Sequence, residues 1–299
     1  MILVAGATGY IGGLLAHRLL DEGEEVRLLA RTPSKASALG ERGAEVVEAD
    51  VLDPDSLSPA LEGVRIAYYL IHSMGRGGDG DFVSQDLEGA RNFGLAAKRA
   101  GVERIVYLGG LGDADVSKHL RSRHETALAL RDSGVPLTYF RAAAVIGSGS
   151  ESFLTVYYLV KRLPLMIAPK WTENRTQPIA ISDVLDYLTR ARDERSSQGS
   201  TIEIGGPEVT TYAGMMDSVG EAIGVGSRRR ISVPVLSPSL SSHWIGLVTP
   251  VDAGVAKPLV EGLSTDTVVE DPNGMRRFEV EPTPMDEAMR VAVEEVEDR

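Results

Sequence analysis

The sequence predicts an α/β fold, a doubly wound parallel sheet with a smaller C-terminal lobe, and three observations carry that expectation. The chain opens on a short apolar run, residues 2–5, that breaks into Gly6-Ala7-Thr8-Gly9-Tyr10-Ile11-Gly12 and then into a helical repeat of Leu14, Leu15, Arg18 and Leu19. Strand-like apolar runs then alternate with amphipathic segments about every 25 residues as far as residue 147, the rhythm of strand-helix-strand units in a parallel sheet. With 43% hydrophobic and 25% charged residues over 299 positions, the chain has enough apolar surface for a core of ordinary size.

The elements follow in order. A second strand over 25–30 ends at Leu28-Leu29-Ala30, and a third over 44–49 ends at Asp50-Val51, ahead of a helix start at Asp53-Pro54-Asp55-Ser56. A fourth strand, 65–71, runs into His72-Ser73-Met74 and a glycine-dense stretch at 75–81. That stretch lies where ligands enter open sheets, and its carboxylates lack calcium-loop spacing, so no metal site is expected. A helix over 86–100, a strand over 104–108, a helix over 119–133 and a strand over 136–143 complete the alternation. Beyond residue 150 the rhythm loosens into helices at 153–163 and 212–223, an extended piece at 164–169, and a short strand leading into a helix at 179–191. A late strand at 201–204 and an Arg-rich extended piece at 228–235 follow. The terminal helix, 285–296, places Met285, Met289, Ala292 and Val296 on one face. The expected division is a nucleotide-binding domain over 1–147, completed by about 178–205, and a substrate-side lobe from 148–177 and 206–299.

The glycine turn has a chemical reading because it follows a strand and opens a helix. Gly6 allows a sharp strand exit, Gly9 lets backbone approach a pyrophosphate, and Gly12 lets the helix press on the sheet; the phosphates would rest on free amides at the helix N-terminus. Thr8, Tyr10 and Ile11 lie in the same turn and are expected at the cofactor. After the second strand stand Arg31, Ser34 and Lys35 rather than the acid that would hold an unphosphorylated ribose, which points to NADP(H). Asp50 and Val51 are placed for the adenine, and Leu70, Ile71 and His72 for the strand end facing the cleft.

Bulk properties narrow the partners. Acidic residues outnumber basic ones 43 to 31, a net charge of −12, which disfavours nucleic acid and anionic membranes as general partners. The absence of cysteine removes disulfides, thiolate metal sites and cysteine nucleophiles. A first strand beginning at Ile2 leaves no length for a signal peptide, and no apolar run reaches the ~18 residues of a membrane helix; the most apolar late stretch is 242–251. The expectation is a cytoplasmic protein, monomer or homodimer, with a small-molecule substrate.

Taken together, Gly6 to Gly12, Ala30-Arg31, Ala49-Asp50-Val51, the segment from Tyr68 to Ser73, the segment from Val106 to Gly110, Phe140-Arg141 and Ile181-Ser182-Asp183-Val184 resemble the short-chain dehydrogenase/reductase superfamily in its atypical, NmrA-like branch. The resemblance runs over about residues 1–207. It implies a Rossmann-type fold and a nicotinamide cofactor. Standard reductases of the superfamily also carry Tyr-x-x-x-Lys on the helix after the fifth strand, where the tyrosine exchanges the substrate proton and the lysine lowers its pKa. Counting back from Ser133-Gly134 puts His119 and Arg123 at those positions, and glycine, Gly109 or Gly110, where a helper serine would stand.

Two function classes follow. One is an NADPH-dependent reductase of a small apolar or aromatic carbonyl, enone or quinone-like acceptor, with His119, His72 and Arg123 as candidate catalytic residues and Arg123 also expected at the cofactor's ribose or phosphate. Phe153, Tyr157, Tyr158, Met166, Trp171 and Trp244 would furnish an aromatic lobe, or a core. The other is a non-catalytic NADP(H)-binding sensor, regulatory or assembly protein. A sugar epimerase needs the missing tyrosine, and a serine hydrolase needs a nucleophile elbow the sequence lacks.

Overall fold

Seven parallel strands form one sheet, in the order Thr201–Ile204, Leu137–Ala142, Arg104–Gly110, Ile66–Tyr69, Ile2–Ala5, Val26–Ala30, Glu45–Glu48. The computed structural model describes residues 1–72, 82–113, 115, 117–233 and 263–299. The strands are β1 (Ile2–Ala5), β2 (Val26–Ala30), β3 (Glu45–Glu48), β4 (Ile66–Tyr69), β5 (Arg104–Gly110), β6 (Leu137–Ala142) and β11 (Thr201–Ile204). Sequence order reverses beside β1, which pairs β2 on one side and β4 on the other. At such a switch point a crevice opens outside the strands' carboxyl ends.

Burial on both faces explains the near-continuous apolar strands. Ile2 and Val4 enter one core with Leu15, Ala16 and Leu19 of α1 (Tyr10–Asp21) and Val184, Tyr187 and Leu188 of α7 (Ile181–Arg190). Leu3 and Ala5 enter the opposite core with Leu57, Phe93 and Leu130, carried by α3 (Pro54–Leu61), α4 (Phe82–Arg99) and α5 (Lys118–Asp132). The Asp53 start signal is realised as an N-cap, its carboxylate accepting from the Asp55 amide at 3.2 Å.

A third core belongs to the lobe beyond the sheet. Phe153, Val156, Tyr157 and Val160 of α6 (Glu151–Arg162) pack with Met215, Met216 and Val219 of α8 (Tyr212–Ala222) and with Met289, Ala292 and Val293 of the terminal helix α10 (Met285–Glu297). Two parallel strands, β8 (Leu165–Pro169) and β13 (Arg229–Val233), flank it. The short pair β7 (Val145–Ile146) and β10 (Ile179–Ala180) carries the chain between lobe and sheet. The late strand expected at 201–204 closes the sheet by pairing with β6. The stretches 75–81 and 242–251 and Trp244 lie outside the described residues. Among the described residues no helix is long and apolar enough to cross a membrane.

Candidate nucleotide and substrate cleft

At the carboxyl ends of β1, β2 and β4 the glycine turn forms the floor of a cleft. Gly6 adopts φ +97°, and a Cβ there would stand 2.6 Å from the Leu70 carbonyl oxygen. A Cβ on Gly12 would stand 2.3 Å from the Gly6 carbonyl oxygen, so the first turn of α1 rests directly on the strand exit. Gly9 is the N-cap of α1 and makes no side-chain cap, and a Cβ on it would meet only the Gly6 oxygen at 3.3 Å. The result is a side-chain-free cradle below free amides, the geometry that accepts a diphosphate.

One half of the cleft is lined by Gly6, Thr8, Gly9, Arg31, Lys35, Asp50, Val51, Leu70, Ile71, His72, Gln85 and Asp86. Arg31 and Lys35 stand exposed at the end of β2. Asp50 accepts from the Leu52 amide at 3.0 Å, a local turn that fixes the carboxylate at the cleft wall. Gln85 and Asp86, which sequence reading passed over, complete this half; Asp86 is buried and accepts from Ser122 at 2.9 Å, tying α4 to α5. Ser34 is exposed and does not line the cleft, because the 3-10 turn over Pro33–Ala36 carries Lys35 to the cleft instead.

The other half, with a volume of about 450 Å³, is lined by Tyr10, Ile11 and Gly12, by Leu108 to Leu111, by His119, Leu120 and Arg123, by Ala142 to Val145, and by Tyr212, Leu263 and Thr267. His72 reaches both halves. Tyr10 also packs away from the glycine cradle: a Cβ on Gly149 would meet its ring at 2.4 Å, and Ser148 hydrogen-bonds its hydroxyl. Gly109 is glycine for a reason of packing, since a Cβ there would strike the Tyr139 ring and hydroxyl at 2.9 Å. A serine therefore has no room at that position.

His119 and Arg123 share one wall, one helical turn apart on α5, whose N-terminus is capped by Ser117 accepting from the Leu120 amide at 3.1 Å. Burial, reinforced by the Arg123 charge, pulls the His119 imidazole down to about 3. Its place in the first turn of α5 works in the same direction, because the positive helix end disfavours imidazolium. Both effects favour the neutral ring at neutral pH, which does not support the expected role of His119 as a proton-giving acid. The Tyr107 hydroxyl donates to the Arg123 carbonyl at 3.3 Å, seating that turn on the buried tyrosines beneath.

The structure also holds a Tyr-x-x-x-Lys spacing that sequence reading overlooked, at Tyr157 and Lys161. Lys161 donates to the tyrosine hydroxyl at 2.6 Å, yet both sit at the far end of α6 beside Glu297, and neither lines the cleft. Burial raises the Tyr157 hydroxyl, the opposite of what a proton-exchanging tyrosine needs. Phe153, Tyr157 and Met166 are core, and Tyr158 and Trp171 pack on that core, so the expected aromatic wall is absent among the described residues. Tyr212, Leu263 and Thr267 line the space instead. They come from positions far along the chain and carry no local motif.

These features define a nicotinamide-dinucleotide-binding protein of Rossmann type, and residues 6–149 match the NAD(P)H-binding family. That match is consistent with the resemblance to the atypical short-chain dehydrogenase/reductases. It is 33% identical over 188 residues to the photosystem II assembly factor Ycf39 of Cyanophora paradoxa, covering 62% of this chain and 56% of that protein. It is 35% identical over 158 residues to quinone oxidoreductase 2 of Escherichia coli, covering 52% and 51%. The chain thus matches only about half the length of these curated relatives. The solved structure of triphenylmethane reductase from Citrobacter sp., complexed with NADP(H), superposes with a TM-score of 0.76 at 21% identity, over 97% of this chain and 99% of that one.

Proposed function

We propose that the protein is an NADPH-dependent reductase of a small, apolar, quinone-like or enone acceptor. The observation that carries this reading is the pairing, on the substrate wall, of a fixed cation, Arg123, with an imidazole kept neutral, His119. Bound NADPH would supply a hydride from the nicotinamide ring. The chain's part is to hold the diphosphate over Gly9, the 2′-phosphate against Arg31 and Lys35, and the acceptor among Leu111, Leu120, Ala143, Tyr212 and Leu263.

The missing tyrosine decides between acceptors. Ketone reduction develops an alkoxide that needs a proton donor in place, and a guanidinium does not give up its proton near neutrality. A quinone or enone spreads the same charge over its π-system, and Arg123 can stabilise that charge electrostatically while solvent supplies the proton. His119 adds a neutral N–H donor at the same wall, and His72, just beyond β4, stands where the two cleft halves join.

The experiment is steady-state NADPH oxidation with benzoquinone, naphthoquinone and simple ketones, on wild type and Arg123→Met. The expected outcome is quinone turnover that falls by about 10²- to 10³-fold in the variant, the usual loss on removing a transition-state donor. Ketone turnover exceeding quinone turnover would contradict the reading. A second reading, a nucleotide-binding assembly or sensor protein, is favoured by the likeness to Ycf39 assembly factors and predicts NADPH binding without oxidation on any acceptor.

A further inference from the structure

We propose that the ion pair between Arg141 and Glu203 is the positioning device of the substrate-side wall, clamping the loop after β5 to the segment 263–271; this rests on the reading of that cleft half as the acceptor site. The two residues sit opposite each other in the β6–β11 register, and Nη1 of Arg141 lies 3.0 Å from Oε1 of Glu203. Both side chains are largely buried, at 25% and 15% exposure, and neither lines the cleft. The pair acts through the segments it holds.

The remaining donors and acceptors of the pair all go to segments that do line it or adjoin it. On one side Arg141 donates through Nη2 to the Gly112 carbonyl at 2.5 Å and, more weakly, through Nε to the Gly110 carbonyl at 3.5 Å. On the other, Oε2 of Glu203 accepts from the amides of Glu270 at 2.8 Å and Asp271 at 3.3 Å. The two gripped segments meet above the cleft: Gly112 has φ +127°, and a Cβ on it would stand 3.1 Å from Leu120 and 3.3 Å from Thr267. Backbone pairing already fixes the register of β6 and β11, so the ion pair is not needed for that. What it fixes is the separation between Gly110, Leu111 and Leu120 on one flank and Thr267 on the other. Charge-assisted bonds suit this task, because they are about twice as strong as neutral ones and the arginine fork can hold two directions at once.

The test is hydrogen exchange on the full chain, with Arg141→Lys and Glu203→Gln beside wild type, together with NADPH affinity and acceptor kinetics. Lysine keeps the charge and loses the fork; glutamine keeps the shape and cannot serve both amides and arginine. The expected result is about tenfold faster exchange confined to the amides at 109–113 and 266–271, with unchanged protection in β1, β4 and α1 and an NADPH Kd within about twofold of wild type. KM for a naphthoquinone should rise about tenfold while kcat changes less than about threefold, the pattern of a displaced binding wall rather than lost chemistry. Unchanged exchange in both segments overturns the proposal, and so does faster exchange spread evenly over the sheet, which would mark a merely structural pair. Because exchange is read without turnover, a protein that reduces no acceptor yet shows the confined loosening would overturn the reductase reading and leave the clamp standing.

Discussion

His119 separates two chemistries by its charge alone. Its folded-state pKa, near 3, lies below the ~6.5 of an unfolded histidine, so folding favours the neutral ring. The sign follows: the unfolded chain takes up a proton between those values that the folded chain refuses. The associated stability is complete above about pH 6.5 and is lost as pH falls toward 3. Thermal melts of His119→Asn against wild type should therefore converge or cross on acidification, the wild type losing more between pH 6.5 and 4; a gap constant with pH would contradict the assigned ring state. Arg31 makes a second residue-scale prediction. Arg31→Glu should weaken NADPH binding by about ten- to a hundredfold, from the lost charge-assisted contact and the new repulsion, while NADH changes little. Calorimetric titration with both nucleotides reads this directly, and equal losses would remove the 2′-phosphate from that position.

At the scale of the element, the first strand, turn and helix are one packed unit. Gly12→Ala would set a methyl 2.3 Å from the Gly6 carbonyl, and backbone on both sides leaves nothing to yield. Denaturant unfolding should show a loss of about 1–3 kcal/mol, the usual cost of overpacking, where an alanine on an open helix surface would stabilise. This unit was legible in the sequence, as were the other sheet strands and most helices, because burial on both faces imposes apolar runs and helix starts need particular capping residues. The wall at 263–271 was not. Leu263 and Thr267 reach the cleft through long-range contacts, Thr176 bonding Thr267 at 2.9 Å across the lobe, and no local period encodes such a contact. The aromatic residues of α6 were left open between core and ligand wall for a related reason: periodicity marks a buried face without saying which covers it, and the fold makes them core. Of the two residues read after Arg31, the 3-10 turn brings Lys35 and not Ser34 to the cleft lining.

Across the whole molecule, the sheet supplies a rigid floor and the lobe a wall, and the cleft runs between them from Arg31 to Tyr212. One half is made mainly of backbone and strand ends, and on the reading proposed above the glycine cradle and Arg31 choose the cofactor. The other half is lined mainly by apolar residues, with Arg123, His119, His72 and Glu151 among them; on the reductase reading proposed above, it suits an acceptor able to carry charge within its own rings. Function therefore depends on nucleotide occupancy of the cradle at the start of α1. The most direct measurement is calorimetric titration of the full chain with NADPH: the account predicts one site per chain with a Kd of about micromolar order, and the absence of binding heat at millimolar NADPH and NADH alike would contradict it.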